Sequence, residues 1–232
     1  MKSEIRVLAV SVVLAAVVQS FGQSASNPSA NESGSLSALA KGSAISRVIH
    51  ANGLYVAVGQ AGTILTSTDG ADWTSQSSGI SRTLTSVAYG KGLFVAVGLG
   101  GTILTSTNAI DWNDISKKAW SCFRSVAFGN GTFVVVGSQG GILSSADGLT
   151  WIKRSSGLMV ELRSVAHGNG LFAAVGQCGA ILSSRDGVVW VKRDSQINKS
   201  LKSIVYENGA FTAHGCRETV LSSTDGANWI VR

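Results

Sequence analysis

From residue 45 onward the chain is a succession of short apolar runs punctuated by turns rich in Gly, Asn and Asp. In one stretch the pattern predicts a first strand over 84–89, a second over 93–97, a third over 102–106 and a fourth from Trp112. Lys91-Gly92 joins the first two, and the equivalent hairpins carry Asn52-Gly53, Asn130-Gly131, Asn169-Gly170 and Asn208-Gly209. Asn-Gly tolerates the positive φ angles of a tight hairpin turn, which makes it a strong local hairpin signal. The second strands (Tyr55-Val56-Ala57-Val58, Phe94-Val95-Ala96-Val97, Phe133-Val134-Val135-Val136 and Phe172-Ala173-Ala174-Val175) are apolar at nearly every position. Such strands must be covered on both faces. Sheets stacked radially, each held between two neighbours, provide that cover.

The pattern repeats. Trp73, Trp112, Trp151, Trp190 and Trp229 are each 39 residues apart, with no insertion between them. Ser67, Ser106, Ser145, Ser184 and Ser223 stand six positions before each Trp, and Asp69, Asn108, Asp147, Asp186 and Asp225 four before it. Gly70, Gly148, Gly187 and Gly226 follow, with Ala109 as the exception. Gly59, Gly98, Gly137 and Gly176 supply small residues where strands crowd a central channel. A β-helix is the competing repeat fold, but its repeats are shorter and lack the two hairpins. The reading is therefore an all-β protein, a β-propeller built from five four-stranded repeats of 39 residues.

The heptapeptide Ser-Thr-Asp-Gly-Ala-Asp-Trp at 67–73 and its equivalents resemble the Asp-box (BNR-type repeat) of sialidase-like and sortilin-like propellers. The longer pattern over 92–106, Gly-Leu-Phe-Val-Ala-Val-Gly through Gly-Thr-Ile-Leu-Thr-Ser, is more similar to the photosystem II assembly and stability factor propellers and their non-photosynthetic bacterial relatives. The likeness covers 45–232. It implies a propeller, and it implies no single activity, because Asp-box propellers include enzymes, receptors and assembly factors.

The N-terminus divides the chain further. A charged start, an apolar run of 12 residues from Val7 to Val18, and small or polar residues at Ser20, Gly22 and Ser24 have the layout of a secretory signal peptide. The run is shorter than the roughly 20 residues a membrane-spanning helix needs. Residues 1–22 are thus read as a cleaved signal, 23–44 as a flexible Ser-, Ala-, Asn- and Gly-rich linker, and 45–232 as one propeller domain in a secreted or periplasmic protein that does not span the membrane. The formal charge is +6, and removing Lys2, Arg6 and Glu4 with the signal leaves +5. A basic exported protein favours acidic protein faces or anionic glycans. With no dense Lys/Arg run or reader motif, nucleic acid is not an expected partner.

In the repeated turn, a short carboxylate and a hydroxyl can both accept hydrogen bonds from the turn's own amides while the Trp wedges into the apolar layer. The Ser, Asp or Asn and Trp positions are accordingly read as structural rather than catalytic, since Asn108 and Ala109 keep the turn without the charge. Binding residues are expected on the opposite face, where the copies differ. Arg124, Arg163 and Lys202 share one repeat position and form a candidate basic crescent, with Lys117, Lys118 and the extra Trp120 nearby. Lys153, Arg154, Lys192, Arg193 and Lys199 add positive charge to the segments between copies. His50 and His167 align with Tyr89, Phe128 and Tyr206, which predicts a packing role rather than metal binding; His214, Thr212 and Glu218 make the fifth copy the polar one. No metal site or cofactor is expected. Cys122, Cys178 and Cys216 are an odd number; Cys178 with Cys216 is one candidate disulfide and Cys122 with Cys178 the other.

The resulting expectation is a non-enzymatic interaction or assembly scaffold that binds a protein through its loop face, with self-association open because the five copies need not close a ring unaided. The second reading is a carbohydrate-binding (lectin-like) or sialidase-like propeller. The Arg-Ile-Pro signature of sialidases is absent, Pro28 being the sole proline, and Tyr55, Tyr89 and Tyr206 lie in repeat strands while Glu161, Glu207 and Glu218 form no convincing pair.

Overall fold

The computed structural model describes residues 33–35, 44–116 and 122–232. The signal read over 1–22 and the site residues Lys117, Lys118 and Trp120 lie outside the described residues.

Each repeat folds into one antiparallel sheet whose strands pair in sequence order. Blade one contains β2 (Ile45–Ala51), β3 (Leu54–Gly59), β4 (Ile64–Ser67) and β5 (Asp72–Gln76). Blade two contains β6 (Leu84–Gly90), β7 (Leu93–Gly98), β8 (Ile103–Ser106) and β9 (Asn113–Asp114). Blade three contains β10 (Phe123–Gly129), β11 (Thr132–Gly137), β12 (Ile142–Ser145) and β13 (Ile152–Arg154). Blade four contains β14 (Leu162–Gly168), β15 (Leu171–Gly176), β16 (Ile181–Ser184) and β17 (Val191–Arg193). Blade five contains β18 (Leu201–Glu207), β19 (Ala210–Gly215), β20 (Val220–Ser223) and β21 (Ile230–Val231). A further short strand, β1 (Ser33–Ser35), lies within the segment read as linker and pairs with the outer edge of blade one, Gly34 opposite Trp73.

The continuous apolar second strands explain the stacking. Because side chains alternate across a strand, β7 sends Phe94 and Ala96 into a cluster with Val56, Val58 and Ile64 of blade one. Its other face sends Val95 and Val97 into a cluster with Phe133 and Val135 of blade three. The same interleaving joins blades three and four through Val134, Val136, Phe172 and Ala174, and blades four and five through Ala173, Val175, Phe211 and Ala213. These side chains are fully buried, each contributing about 1.5–3 kcal/mol for the larger ones. Radially stacked four-stranded blades around a shared channel make the fold a five-bladed β-propeller.

Two further devices hold successive blades together. The Oγ atoms of Ser86, Ser125 and Ser164 accept hydrogen bonds from the amides of Val126, Val165 and Ile204 in the next blade, each at 3.2 Å. The aromatic ring of each following blade also lies against the glycine that ends the preceding inner strand. A Cβ at Gly90, Gly129 or Gly168 would come within 2.0–2.5 Å of ring atoms of Phe128, His167 or Tyr206. His167 therefore packs as its alignment with Tyr and Phe predicts, while His50, in blade one, is exposed and lies against Tyr55 with ring centroids 4.2 Å apart.

Neither device continues from blade five to blade one. Glu207 replaces the glycine, and Ser203 bonds no amide of β2 among the described residues. The inner strands β2, β6, β10, β14 and β18 pack in succession, whereas no strand of blade five packs comparably on blade one. The outward face of blade five is polar where its counterparts are apolar: Thr212 is half-buried and His214 exposed, while Val95, Val97, Val134 and Val136 are all 0 % exposed. The polar positions of the fifth copy thus fall on the face that no other blade covers as the apolar faces are covered.

Candidate functional site

The propeller has two faces with different sequence behaviour. One carries the Asn-Gly hairpins and the repeated Ser/Asp turns, and it is constant in chemistry. In blade three, Ser145 Oγ donates to Asp147 Oδ1 at 2.8 Å and accepts from the Gly148 amide at 2.8 Å. Asp147 Oδ1 also accepts from the amides of Leu149 and Thr150 at 2.8 and 2.7 Å, and Trp151 Nε1 donates to the Gly148 carbonyl at 3.0 Å. Ser67 with Asp69, Ser184 with Asp186 and Ser223 with Asp225 repeat the pattern. Their Trp73, Trp190 and Trp229 indoles each donate to the turn carbonyl three residues back. Asn108 does the same through its amide oxygen, taking Ser106 Oγ and the amides of Ile110 and Asp111 at 2.9–3.0 Å, with Trp112 Nε1 on the Ala109 carbonyl. Backbone amides hold the Asp147 carboxyl down to about 2, and Asp69, Asp186 and Asp225 are lowered for the same reason. In each turn the Ser Oγ and one side-chain oxygen of the Asp or Asn are engaged within the turn itself, which makes the turns structural closures.

The other face is built by the tight turns after the second strands and by the segments that lead from one blade to the next. Here the bulges matter. Each inner strand shifts register at its second residue, which places Ser46, Thr85, Arg124, Arg163 and Lys202 outside the ladder pairing. A bulge re-aims the side chain it carries. The structure brings Arg124 and Arg163 together on one carboxylate: Arg124 Nε lies 2.7 Å from Glu161 Oε1, and Arg163 Nε 3.0 Å from Oε2. Burial alone would raise the Glu161 pKa, but the bonds and charges of the two arginines outweigh it and the net shift is downward. One carboxylate thus offsets one of the crescent's three positive charges, and of the three only Lys202, exposed on blade five, has no ion-pair partner among the described residues. Sequence reasoning missed this because Glu161 sits immediately before the strand and has no acidic counterpart in the other copies, where Thr83, Cys122 and Ser200 stand.

The larger unpaired positive charge lies on the outer strands. Clefts recur where each tight turn meets the segment leaving the blade. In blade one the cleft, about 390 Å³, is lined by Ser, Thr, Gln, Gly, Ala and Ile side chains, among them Ser75 and Gln76. In blade three the equivalent positions are Lys153 and Arg154, in a cleft of about 360 Å³ that also includes Leu158 and Met159. In blade four they are Lys192 and Arg193, in a cleft of about 520 Å³ bounded by Leu158, Val160 and Ile197. Leu158 lines both clefts, so the two adjoin. Arg154 Nε and Arg193 Nε donate to Ser144 Oγ and Ser183 Oγ at 2.8 and 2.7 Å, which fixes the root of each guanidinium. Met159 is 84 % exposed.

The channel holds a fourth cavity, about 380 Å³, lined by inner-strand residues from all five blades, including Arg47, His50, Tyr89, His167, Tyr206 and Glu207. Burial lowers the His167 pKa, and its Nε2 has no hydrogen-bond partner. No grouping of three or more His, Cys, Asp or Glu side chains suited to a metal occurs among the described residues. Neither proposed disulfide is formed: Cys122, Cys178 and Cys216 are all free thiols. Cys178 occupies the left-handed residue of its turn, φ 54°, and is exposed, whereas Cys216 stands one position earlier in the equivalent turn and donates its amide to Ser200. The one-residue offset that made them neighbours in phase starts their side chains from different places. Cys122 Sγ accepts from the Gly100 amide at 3.5 Å.

No family model matches the chain, and neither does any characterised protein searched by sequence. Solved structures do match. YCF48 bound to a D1 peptide superposes with a TM-score of 0.64 at 15% identity, over 89% of this chain and 71% of that one. YCF48 from Cyanidioschyzon merolae gives 0.54 at 13% identity, over 88% of each chain. The WD40 β-propeller domain of Doa1 gives 0.64 at 14% identity, over 87% of this chain and 71% of that one. The shared fold is the propeller. At these identities the likeness establishes the architecture alone. No helix among the described residues is long and apolar enough to cross a membrane.

Proposed function

We propose that the protein is an exported, non-enzymatic scaffold that binds a protein partner through its loop face, in the manner of an assembly factor. The observation that carries this reading is the division of labour between faces. The Ser/Asp turns satisfy their own polar groups, while the loop face carries Lys153, Arg154, Lys192 and Arg193 with no ion-pair partner among the described residues, beside an exposed Met159. YCF48 bound to a D1 peptide and a chain of a nidogen/laminin complex, the latter at a TM-score of 0.63 and 8% identity, are of similar fold and engaged with other chains. The lectin-like alternative is supported less well, because no Phe, Tyr or Trp among the described residues is exposed to stack on a sugar. A sialidase-like site also lacks support: Glu161 is committed to Arg124 and Arg163, and the ring of Tyr206 is packed on Gly168.

The reading is tested by affinity capture with crosslinking from the extracytoplasmic fraction, together with a glycan array. A defined protein partner and a blank array are the expected results. Saturable binding to a glycan with no protein captured would overturn it. N-terminal sequencing of the exported protein should begin near Gln23; retention of residues 1–22 in a cytoplasmic product would refute the export component.

A further inference from the structure

The adjoining clefts of blades three and four differ from the corresponding cleft of blade one in the residues at two equivalent positions. Where blade one places Ser75 and Gln76, blade three places Lys153 and Arg154 and blade four Lys192 and Arg193. Blade two reverses the sign with Asp114, which is paired to Arg82 at 3.5 Å. Blade five has Val231 and Arg232 there, with Arg232 Nε donating to Ser222 Oγ at 2.8 Å, so a basic pair at both positions occurs in the two neighbouring blades three and four. The acid closest in sequence, Asp194, caps its own turn by accepting the Gln196 amide at 2.8 Å. Between the two basic pairs runs an apolar ridge: Leu158 and Val160 are half-buried and Met159 stands 84 % exposed. An unbranched, polarizable Met suits a surface that must accept apolar side chains of varied shape.

We propose that these two clefts form one continuous groove for an extended acidic peptide, with an apolar residue seated on Leu158 and Met159 and carboxylates flanking it at Lys153–Arg154 and Lys192–Arg193. This deepens the scaffold reading and rests on it, by assigning the chemistry of the partner segment. The anchored Nε of Arg154 and of Arg193 holds each guanidinium in place while its terminal nitrogens remain available for a carboxylate, the planar geometry that arginine matches best. The shared wall at Leu158 requires the bound segment to pass from one blade to the next, which selects an extended chain over a compact anion. Charge complementarity favours a peptide rich in Asp and Glu over a neutral or basic one.

The experiment uses the full chain as bait for a randomised nonapeptide display library. The groove predicts enrichment of peptides with acidic residues on both sides of an aliphatic or aromatic residue. Their binding should weaken with salt and fall about tenfold or more in K153E/K192E, a loss equivalent to one well-placed charge contact. M159S should weaken the same peptides several-fold without changing the salt dependence, and both variants should keep the wild-type far-UV spectrum and melting midpoint. Enrichment of basic or neutral peptides, no enrichment, or acidic peptides bound equally by K153E/K192E would overturn the groove. A protein partner captured equally by wild type and K153E/K192E would remove the groove while leaving the scaffold reading intact; selected peptides with no protein partner captured by either would remove the scaffold reading itself.

Discussion

Replacing Gly168 with Ala tests the packing that joins one blade to the next. Gly168 is buried and has an ordinary backbone conformation, so a methyl group adds no left-handed strain there. It would, however, come 2.0 Å from Cγ, 2.2 Å from Cδ1 and 2.5 Å from Cδ2 of Tyr206, far inside contact distance. The ring must move, and its neighbours Phe211 and Ile204 belong to the core between blades four and five. Overpacking of this kind costs about 1–3 kcal/mol. For a domain of this size that lowers the melting midpoint by about 3–9 °C. Chain geometry supplies an internal comparison: Ala51 already occupies the corresponding place in blade one, and the seam between blades one and two is less extensive than those that follow. The assay is thermal and urea unfolding of G168A, Y206A and the double variant. Because Y206A removes the obstructing ring, the double variant should be less destabilised than the sum of the singles, by about 1 kcal/mol or more. An unchanged G168A midpoint, or strict additivity, would refute ring-on-glycine packing as the interblade joint.

Other substitutions address the turns and the crescent. Asp147→Asn should leave stability within about 0.5 kcal/mol, since Asn108 makes the same bonds through a neutral oxygen, whereas Asp147→Ala should cost about 1 kcal/mol, as a lost side-chain cap does; thermal melts of both distinguish them. The lowered Asp carboxyls release protons more readily folded than unfolded, so their contribution is complete well above the ordinary carboxyl pKa and declines as pH falls through it. For Asp147 the decline runs from the ordinary 3.8 down to about 2, and D147N should flatten the stability–pH curve in that window. Because these groups are almost fully exposed, solvent screening keeps the effect small. Glu161→Gln should free Arg124 and Arg163 and delay elution from a heparin column, with little change in unfolding midpoint; unchanged elution would show that the pair is not what masks the crescent.

The architecture was legible in the sequence because the repeat is strict. The Trp spacing, the Asn-Gly or Lys-Gly hairpins and the two-sided apolar second strands of blades one to four each report a local requirement that the fold meets. The candidate site was less legible, because it depends on relations between copies. The bulge that carries Arg124, Arg163 and Lys202 follows from pairing register, which single-strand alternation does not reveal. Likewise, nothing local marks Glu161 as the acid between two arginines of different blades, since the pairing crosses 37 residues of sequence. The clefts were visible only as basic residues in connecting segments; their shared wall at Leu158 requires the blades to be stacked. The thiols are unpaired for a related reason: neighbouring phase in a repeat brings turns to the same face but does not aim two side chains at each other.

The central claim is that the constant face builds the propeller and the variable loop face binds. Crosslinking mass spectrometry on the captured complex tests it most directly, because lysines mark both faces. The account predicts partner crosslinks at Lys153 and Lys192 on the loop face and none at Lys91, which lies in a hairpin of the opposite face and donates to the Ala146 carbonyl at 2.9 Å. Crosslinks concentrated at Lys91, with Lys153 and Lys192 unmodified by the partner, would contradict it.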